Sequence, residues 1–87
     1  MRHVPVPEEA VAEFGRRIRE RRAALRLTQQ AVADAIGVDR GHVSFMESGD
    51  RPPSFGSMLA LARALRVDAG VLVRGLQKVP PTEGGLR

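Results

Sequence analysis

Between Asp39 and Gly49 the chain reads Asp-Arg-Gly-His-Val-Ser-Phe-Met-Glu-Ser-Gly, a run whose hydrogen-bonding side chains suit contact with a polyanion rather than covalent chemistry. At about 100° per residue, with Arg40 at zero, Ser44, Gly41 and Phe45 fall at about 40°, 100° and 140°, Ser48 lies among them, and Val43 and Met46 point away. One face is therefore open to a ligand while the other belongs to a core. The Arg40 guanidinium, at the N-terminal end, can bond the O6 and N7 of a guanine bidentately or contact only a phosphate. Ser44 can bond a base or a phosphate, and Gly41 lets a backbone approach a groove closely or marks a poor helix former. Phe45 can meet a thymine methyl or pack on a neighbouring side chain. Arg51, and with less support Arg26, flank this run as phosphate contacts. His42 sits about 120° from the centre of the open face and reads as an edge histidine.

Other chemistry is thinly represented. The histidines are His3 and His42, there is no cysteine, and no phosphate-binding glycine loop or converging carboxylate pair is evident. These features argue against an enzyme and imply no metal and no cofactor. Lys and Arg outnumber Asp and Glu by 14 to 10 while 43% of residues are apolar, which describes a folded, basic protein whose charge must be judged by placement. A chain of 87 residues supports one hydrophobic core, so any site shares that scaffold. No signal-peptide pattern or membrane-length apolar run is present, and a cytoplasmic protein without membrane contact is expected.

The elements that must position the Arg40 run follow from caps and breakers. Residues 1–6 and the Pro- and Gly-rich residues 77–87 read as flexible tails around a domain over 7–76. A first helix should begin near Pro7, with Glu8 and Glu9 favoured by the macrodipole, and run to about Leu25. It places Val11, Phe14, Ile18 and Leu25 on one stripe. Glu13 with Arg17 and Arg16 with Glu20 are spaced as i, i+4 pairs, so much of its charge reads as a solvated face. Thr28 caps a second helix over 29–36 that Gly37 stops, and Asp39 caps a third that Gly49 ends. Ala33 permits close helix approach, Gly37 permits a positive φ, and Val38 and Val43 fix one helix on the other, so 28–48 reads as a helix-turn-helix. Ser54 caps a fourth helix with Phe55, Met58, Leu59, Ala62 and Leu65 as its apolar stripe, and Asp68 caps a fifth with Val71, Leu72 and Val73. The fold class is all-α, five short helices.

Taken together, Ile18-Arg-Glu-Arg-Arg, Leu27-Thr-Gln with Ala33 and Gly37, Glu47-Ser-Gly and Leu61-Ala-Arg-Ala-Leu-Arg-Val resemble the phage repressor and Cro type of helix-turn-helix domain, the xenobiotic-response-element family. The resemblance spans Phe14 to about Gly75. It implies a lambda-repressor-like five-helix bundle, insertion of the third helix into the major groove of double-stranded DNA, and a homodimer on a palindromic operator. By the same resemblance Gln29 bonds the sugar-phosphate backbone, Glu47 pairs with Arg22 of the first helix as a structural ion pair, and Leu72 is a core position. Similar proteins commonly carry a polar residue where this chain has Phe45.

The expected function is a sequence-specific transcriptional regulator, a repressor acting as a homodimer. Because Val71, Leu72 and Val73 are consecutive, they cannot all face one core, leaving Val71, Val73 and Leu76 as candidates for a partner subunit. The alternative is the antitoxin of a toxin-antitoxin pair, binding DNA and a protein toxin, though no long partner-wrapping extension is seen. Single-stranded RNA ranks last, since a chain with no Tyr or Trp and only three Phe offers no obvious stacking platform. With no separate sensor domain in the sequence, control by abundance or by a partner is expected over control by a small molecule.

Overall fold

The computed structural model describes residues 4–80, and its regular structure is entirely helical. The sequence readings of His3 and of the outer parts of both tails, 1–3 and 81–87, lie outside the described residues. Five α-helices follow in order: α1 Glu8–Ala24, α2 Gln29–Ile36, α3 Arg40–Glu47, α4 Phe55–Ala64 and α5 Ala69–Val73, closed by a 3₁₀ turn over Leu76–Lys78 that packs on α1.

Local chemistry sets the helix starts. Thr28 Oγ1 accepts from the Ala31 amide at 2.9 Å, Asp39 Oδ1 from His42 at 2.9 Å, Ser54 Oγ from Ser57 at 3.1 Å and Asp68 Oδ1 from Gly70 at 2.7 Å. Each cap satisfies an amide that the first turn leaves without an intrahelical partner. α1 starts after Pro7, whose φ of −59° suits helix entry, with Glu8 and Glu9 in the first turn and Arg21 and Arg22 in the last, as the macrodipole favours.

The ends of α1, α3 and α4 share one closure. The residue after the C-cap takes a left-handed conformation and the next amide reaches back to the third residue from the helix end: Leu27 to Arg22 at 3.0 Å, Asp50 to Phe45 at 2.9 Å, Val67 to Ala62 at 3.0 Å. This is the Schellman arrangement, which satisfies otherwise orphaned carbonyls. Gly49 holds the left-handed position after α3 at φ 83°, but arginine holds it after α1 and α4, Arg26 at 58° and Arg66 at 57°. A side chain in that region costs about 1–2 kcal/mol. Arg66→Gly, which keeps the carbonyl that Arg21 bonds, should stabilise the fold by about 0.5–1 kcal/mol and raise the thermal midpoint by about 2–8 °C in a melting experiment.

The core joins all five helices: Phe14 and Ile18 from α1, Val32 and Ala33 from α2, Val43 and Met46 from α3, Leu61 and Ala62 from α4 with Leu65 at its end, and Leu72 from α5. α1 lies against α3 with Gly15 at the crossing, where a Cβ would overlap the Met46 carbonyl oxygen and stand 2.7 Å from that of Glu47.

Two sequence expectations are corrected here. Phe55 and Leu59 do not belong to the buried stripe of α4; they are 72% and 46% exposed. The stripe is centred instead on Leu61 and Leu65, fully buried, with Met58 and Ala62 beside them, which rotates Phe55 and Leu59 past its edge. Arg16 pairs with Glu13, one turn before it, rather than with Glu20. Glu13 also accepts from Arg17 Nε at 2.8 Å, so one carboxylate serves two guanidiniums. Neither Arg17 nor Arg21 is merely a solvated charge. Arg17 Nη1 donates to the Leu72 carbonyl at 3.1 Å and Arg21 Nε to that of Leu65 at 2.7 Å, tying α1 to α5 and to the C-terminal end of α4.

Candidate nucleic-acid interface

α2 and α3 meet through a short turn built on two residues. Gly37 adopts φ 79°, and the Gly37 and Val38 amides both return to the Ala33 carbonyl, at 2.9 and 3.0 Å. Asp39 then caps α3 at once, so the helix leaves the turn with Arg40 at its first position. Val43 and Met46 are fully buried, which fixes the rotation of α3 about its axis. Arg40, Phe45 and Ser48 are exposed and Gly41, His42 and Ser44 half-buried. At Gly41 a Cβ would come within 3.3 Å of the Asp39 cap carboxylate, so the position is tight toward the cap.

A chain of hydrogen bonds runs from α1 to the tip of α3. Arg22 donates through Nε to Glu47 Oε2 at 2.5 Å and through Nη2 to Oε1 at 3.0 Å, a bidentate pair, and its Nη1 donates to the Leu27 carbonyl at 2.9 Å. The Glu47 side chain is 5% exposed. Its hydrogen bond pushes the Arg22 pKa up against the opposing effect of desolvation, with charge attraction adding to the rise. Glu47 Oε1 also accepts from Gln29 Nε2 at 3.0 Å, and Gln29 Oε1 in turn accepts from Arg40 Nη1 at 3.2 Å. A carboxylate accepts and cannot donate, so Gln29 must turn its NH₂ inward and its carbonyl outward to Arg40. The amide's orientation is thus dictated by Glu47, and it leaves a guanidinium at the start of the exposed face.

The far end of that face is built differently. The Phe45 ring is 44% exposed, and the Arg51 guanidinium lies 5.0 Å from its centroid, a cation–π contact. Beneath the ring, the Phe45 carbonyl accepts from the Asp50 amide at 2.9 Å and from Ser48 Oγ at 3.1 Å. Ser48 Oγ also lies 2.9 Å from Asp50 Oδ2, so this hydroxyl is engaged with its own loop.

The structure therefore brings Gln29, Arg40, Gly41, Ser44, Phe45 and Arg51 to one side of the α2–α3 unit, and places Arg22 and Glu47 behind it. Of the apolar residues considered for a partner subunit, Val71 is 42% exposed. Val73 and Leu76, by contrast, pack partly on their own core and line an apolar concavity of about 430 Å³ with Val6, Val11, Pro52 and Met58. Sequence reasoning did not anticipate Gly15, the Glu47–Gln29–Arg40 chain or the carbonyl-binding roles of Arg17 and Arg21. An isolated glycine inside a helical pattern was the available signal for Gly15. No described helix is long and apolar enough to cross a membrane.

Comparison with known proteins gives a consistent picture. Residues 18–72 match the family model described as helix-turn-helix. Repressor protein C2 of Salmonella phage P22 is 34% identical over 62 residues, covering 71% of this chain but 29% of its own length. The transcriptional regulator DicA of Escherichia coli is 35% identical over 73 residues, 80% of this chain and 54% of its own. The chain thus spans only part of these relatives. Among solved structures, the restriction-modification controller protein C.AhdI from Aeromonas hydrophila superposes with a TM-score of 0.71 at 38% identity, covering 74% of this chain and 97% of that one. The P22 c2 repressor in complex with a synthetic operator superposes with a TM-score of 0.68 at 34% identity, covering 71% and 94%.

Proposed function

The chain belongs to the Cro/C1-type helix-turn-helix family of DNA-binding transcriptional regulators, and from that premise we propose that it binds double-stranded DNA as a homodimeric repressor, placing α3 in the major groove of each half of a palindromic operator. The observation that carries this reading is the Glu47–Gln29–Arg40 chain, which presents an oriented guanidinium at the N-terminal tip of a helix whose opposite face is buried. That is where a recognition helix meets base edges, and a guanidinium matches the paired acceptors of guanine. The Gln29 main-chain amide at the start of α2 and the Arg51 guanidinium would contribute backbone contacts beside it, with Gly41 and Ser44 close enough to the groove to touch it. The proposed activity is binding, through side-chain and main-chain contacts to the duplex.

A single small module covers few base pairs, and pairing two about one helical turn apart supplies the missing affinity. The exposed Val71 supports a partner surface on the α5 side, whereas Val73 and Leu76 pack partly on their own core. The repressor name of one relative supports the regulatory sign.

Selection of bound sequences from a random duplex pool at fixed salt, repeated with Arg40→Ala, tests the reading. Recovery of a palindrome with half-sites about 34 Å apart, and loss of about 1–3 kcal/mol of discrimination at one base pair per half-site in the variant, is expected. Enrichment of asymmetric single sites would reject the dimer, and an unchanged site with Arg40→Ala would reject its base contact.

A further inference from the structure

The far end of the exposed face of α3 carries an aromatic ring where the near end carries a guanidinium. We propose that Phe45, with Arg51 stacked on it, is a reader of the 5-methyl group of a pyrimidine, so that this protein discriminates thymine or 5-methylcytosine from uracil or cytosine at one position of each half-site. The inference rests on the duplex-DNA reading above and names what one part of that interface recognises.

Three observations carry it. Phe45 keeps 44% of its surface exposed on the face that Arg40 opens, although a ring that large gains most by burial. The C5-methyl of thymine is the apolar feature that a base pair presents in the major groove, and methylation gives cytosine the same group at the same atom. The hydroxyl that could otherwise compete for a base edge beside it, Ser48 Oγ, is directed to the Phe45 carbonyl and to Asp50.

The backbone under the ring is fixed and the ring has a charged neighbour. Its backbone carbonyl accepts two hydrogen bonds from the loop that follows, and Arg51 covers it with a guanidinium 5.0 Å from the centroid. A cation over one ring face brings positive charge to the same spot, so apolar contact and phosphate attraction act from one unit. Phe45 follows Arg40 by five residues, about 7.5 Å along the helix, so the pyrimidine it meets is a different base pair from the one that Arg40 reads. A phenyl ring neither donates nor accepts a conventional hydrogen bond, so it is indifferent to the O4 or N4 group that separates thymine from 5-methylcytosine.

The test uses the full chain and the duplex recovered by selection. Each thymine is replaced singly by uracil, and the position that responds is then prepared with thymine, uracil, cytosine and 5-methylcytosine. Affinities are measured at one stated salt for the wild type, Phe45→Ala and Arg51→Ala. Burial of one methyl predicts about a fourfold weaker Kd per half-site for uracil than for thymine, and the same factor for cytosine against 5-methylcytosine. Phe45→Ala should bind the thymine and uracil duplexes equally. Arg51→Ala should weaken binding to both and shrink their ratio. Because Phe45 and Arg51 are exposed, circular dichroism is expected to show both variants folded. A selected site in which uracil matches thymine at every position, or a thymine preference that survives Phe45→Ala, overturns the inference while leaving DNA binding intact. Enrichment of no duplex at all overturns both. A preference seen with thymine but not with 5-methylcytosine would overturn the methyl as the recognised group.

Discussion

Gly15→Ala destabilises the protein by about 1–3 kcal/mol in urea or thermal denaturation, even though alanine is the better helix former by about 1 kcal/mol. The cost comes from the α1–α3 crossing. A Cβ at residue 15 overlaps the Met46 carbonyl oxygen and reaches to 2.7 Å from that of Glu47, and both are main-chain atoms of α3, which cannot rotate aside as a side chain can. The strain is relieved by moving α3 away from α1, which pulls at Met46 and at the Arg22–Glu47 pair. Gly56→Ala is the matched control. It lies in the first turn of α4, where an added methyl would meet nothing within 4 Å, and there the same substitution should stabilise by up to about 1 kcal/mol. A Gly15→Ala protein as stable as the wild type would mean that the two helices do not approach this closely in solution.

Removal of the Glu47 carboxylate should have the second large effect. Glu47→Ala leaves the Arg22 guanidinium with the Leu27 carbonyl and no counter-charge, and loss of one member of a largely buried pair costs about 3 kcal/mol. It also removes the acceptor that orients Gln29, so Arg40 loses its fixed partner and DNA affinity should fall by about tenfold through lost preorganisation, measured where the variant is still folded. The double variant Arg22→Met with Glu47→Leu separates the two roles. Replacing both charges by apolar groups should recover most of the stability, since such pairs contribute little against well-packed hydrophobic substitutes. DNA affinity should stay low, because Gln29 still lacks its anchor. Recovery of full affinity along with stability would show that the Glu47–Gln29–Arg40 chain does not preorganise the interface.

Helix starts in this chain are legible because the signals are short-range. Thr28, Asp39, Ser54 and Asp68 each cap an amide two or three residues ahead, so residue type and local order suffice to place α2, α3, α4 and α5. The turn at Gly37 is equally local, since its φ of 79° is one that glycine adopts without steric cost. Periodicity located the buried faces of α1 and α3 because each offers one continuous apolar stripe. On α4, where apolar residues cover much of the circumference, the same reasoning extended the buried stripe to Phe55 and Leu59, and only the neighbours of that helix decided that Leu61 and Leu65 take the core.

What the sequence by itself determined is therefore the succession of helices, their caps and turn, and the identity of the helix that presents Arg40. The tertiary structure decided how that helix is held. Gln29 meets Glu47 across 18 residues and Arg40 meets Gln29 across 11, extending the Arg22–Glu47 pair that the family resemblance implies. The main-chain approach at Gly15 and the stacking of Arg51 on Phe45 likewise depend on how helices and loops are docked. Capping and periodicity act within a turn or two of the chain, whereas these contacts exist only once the shared core has set the rotation and separation of α1, α2 and α3.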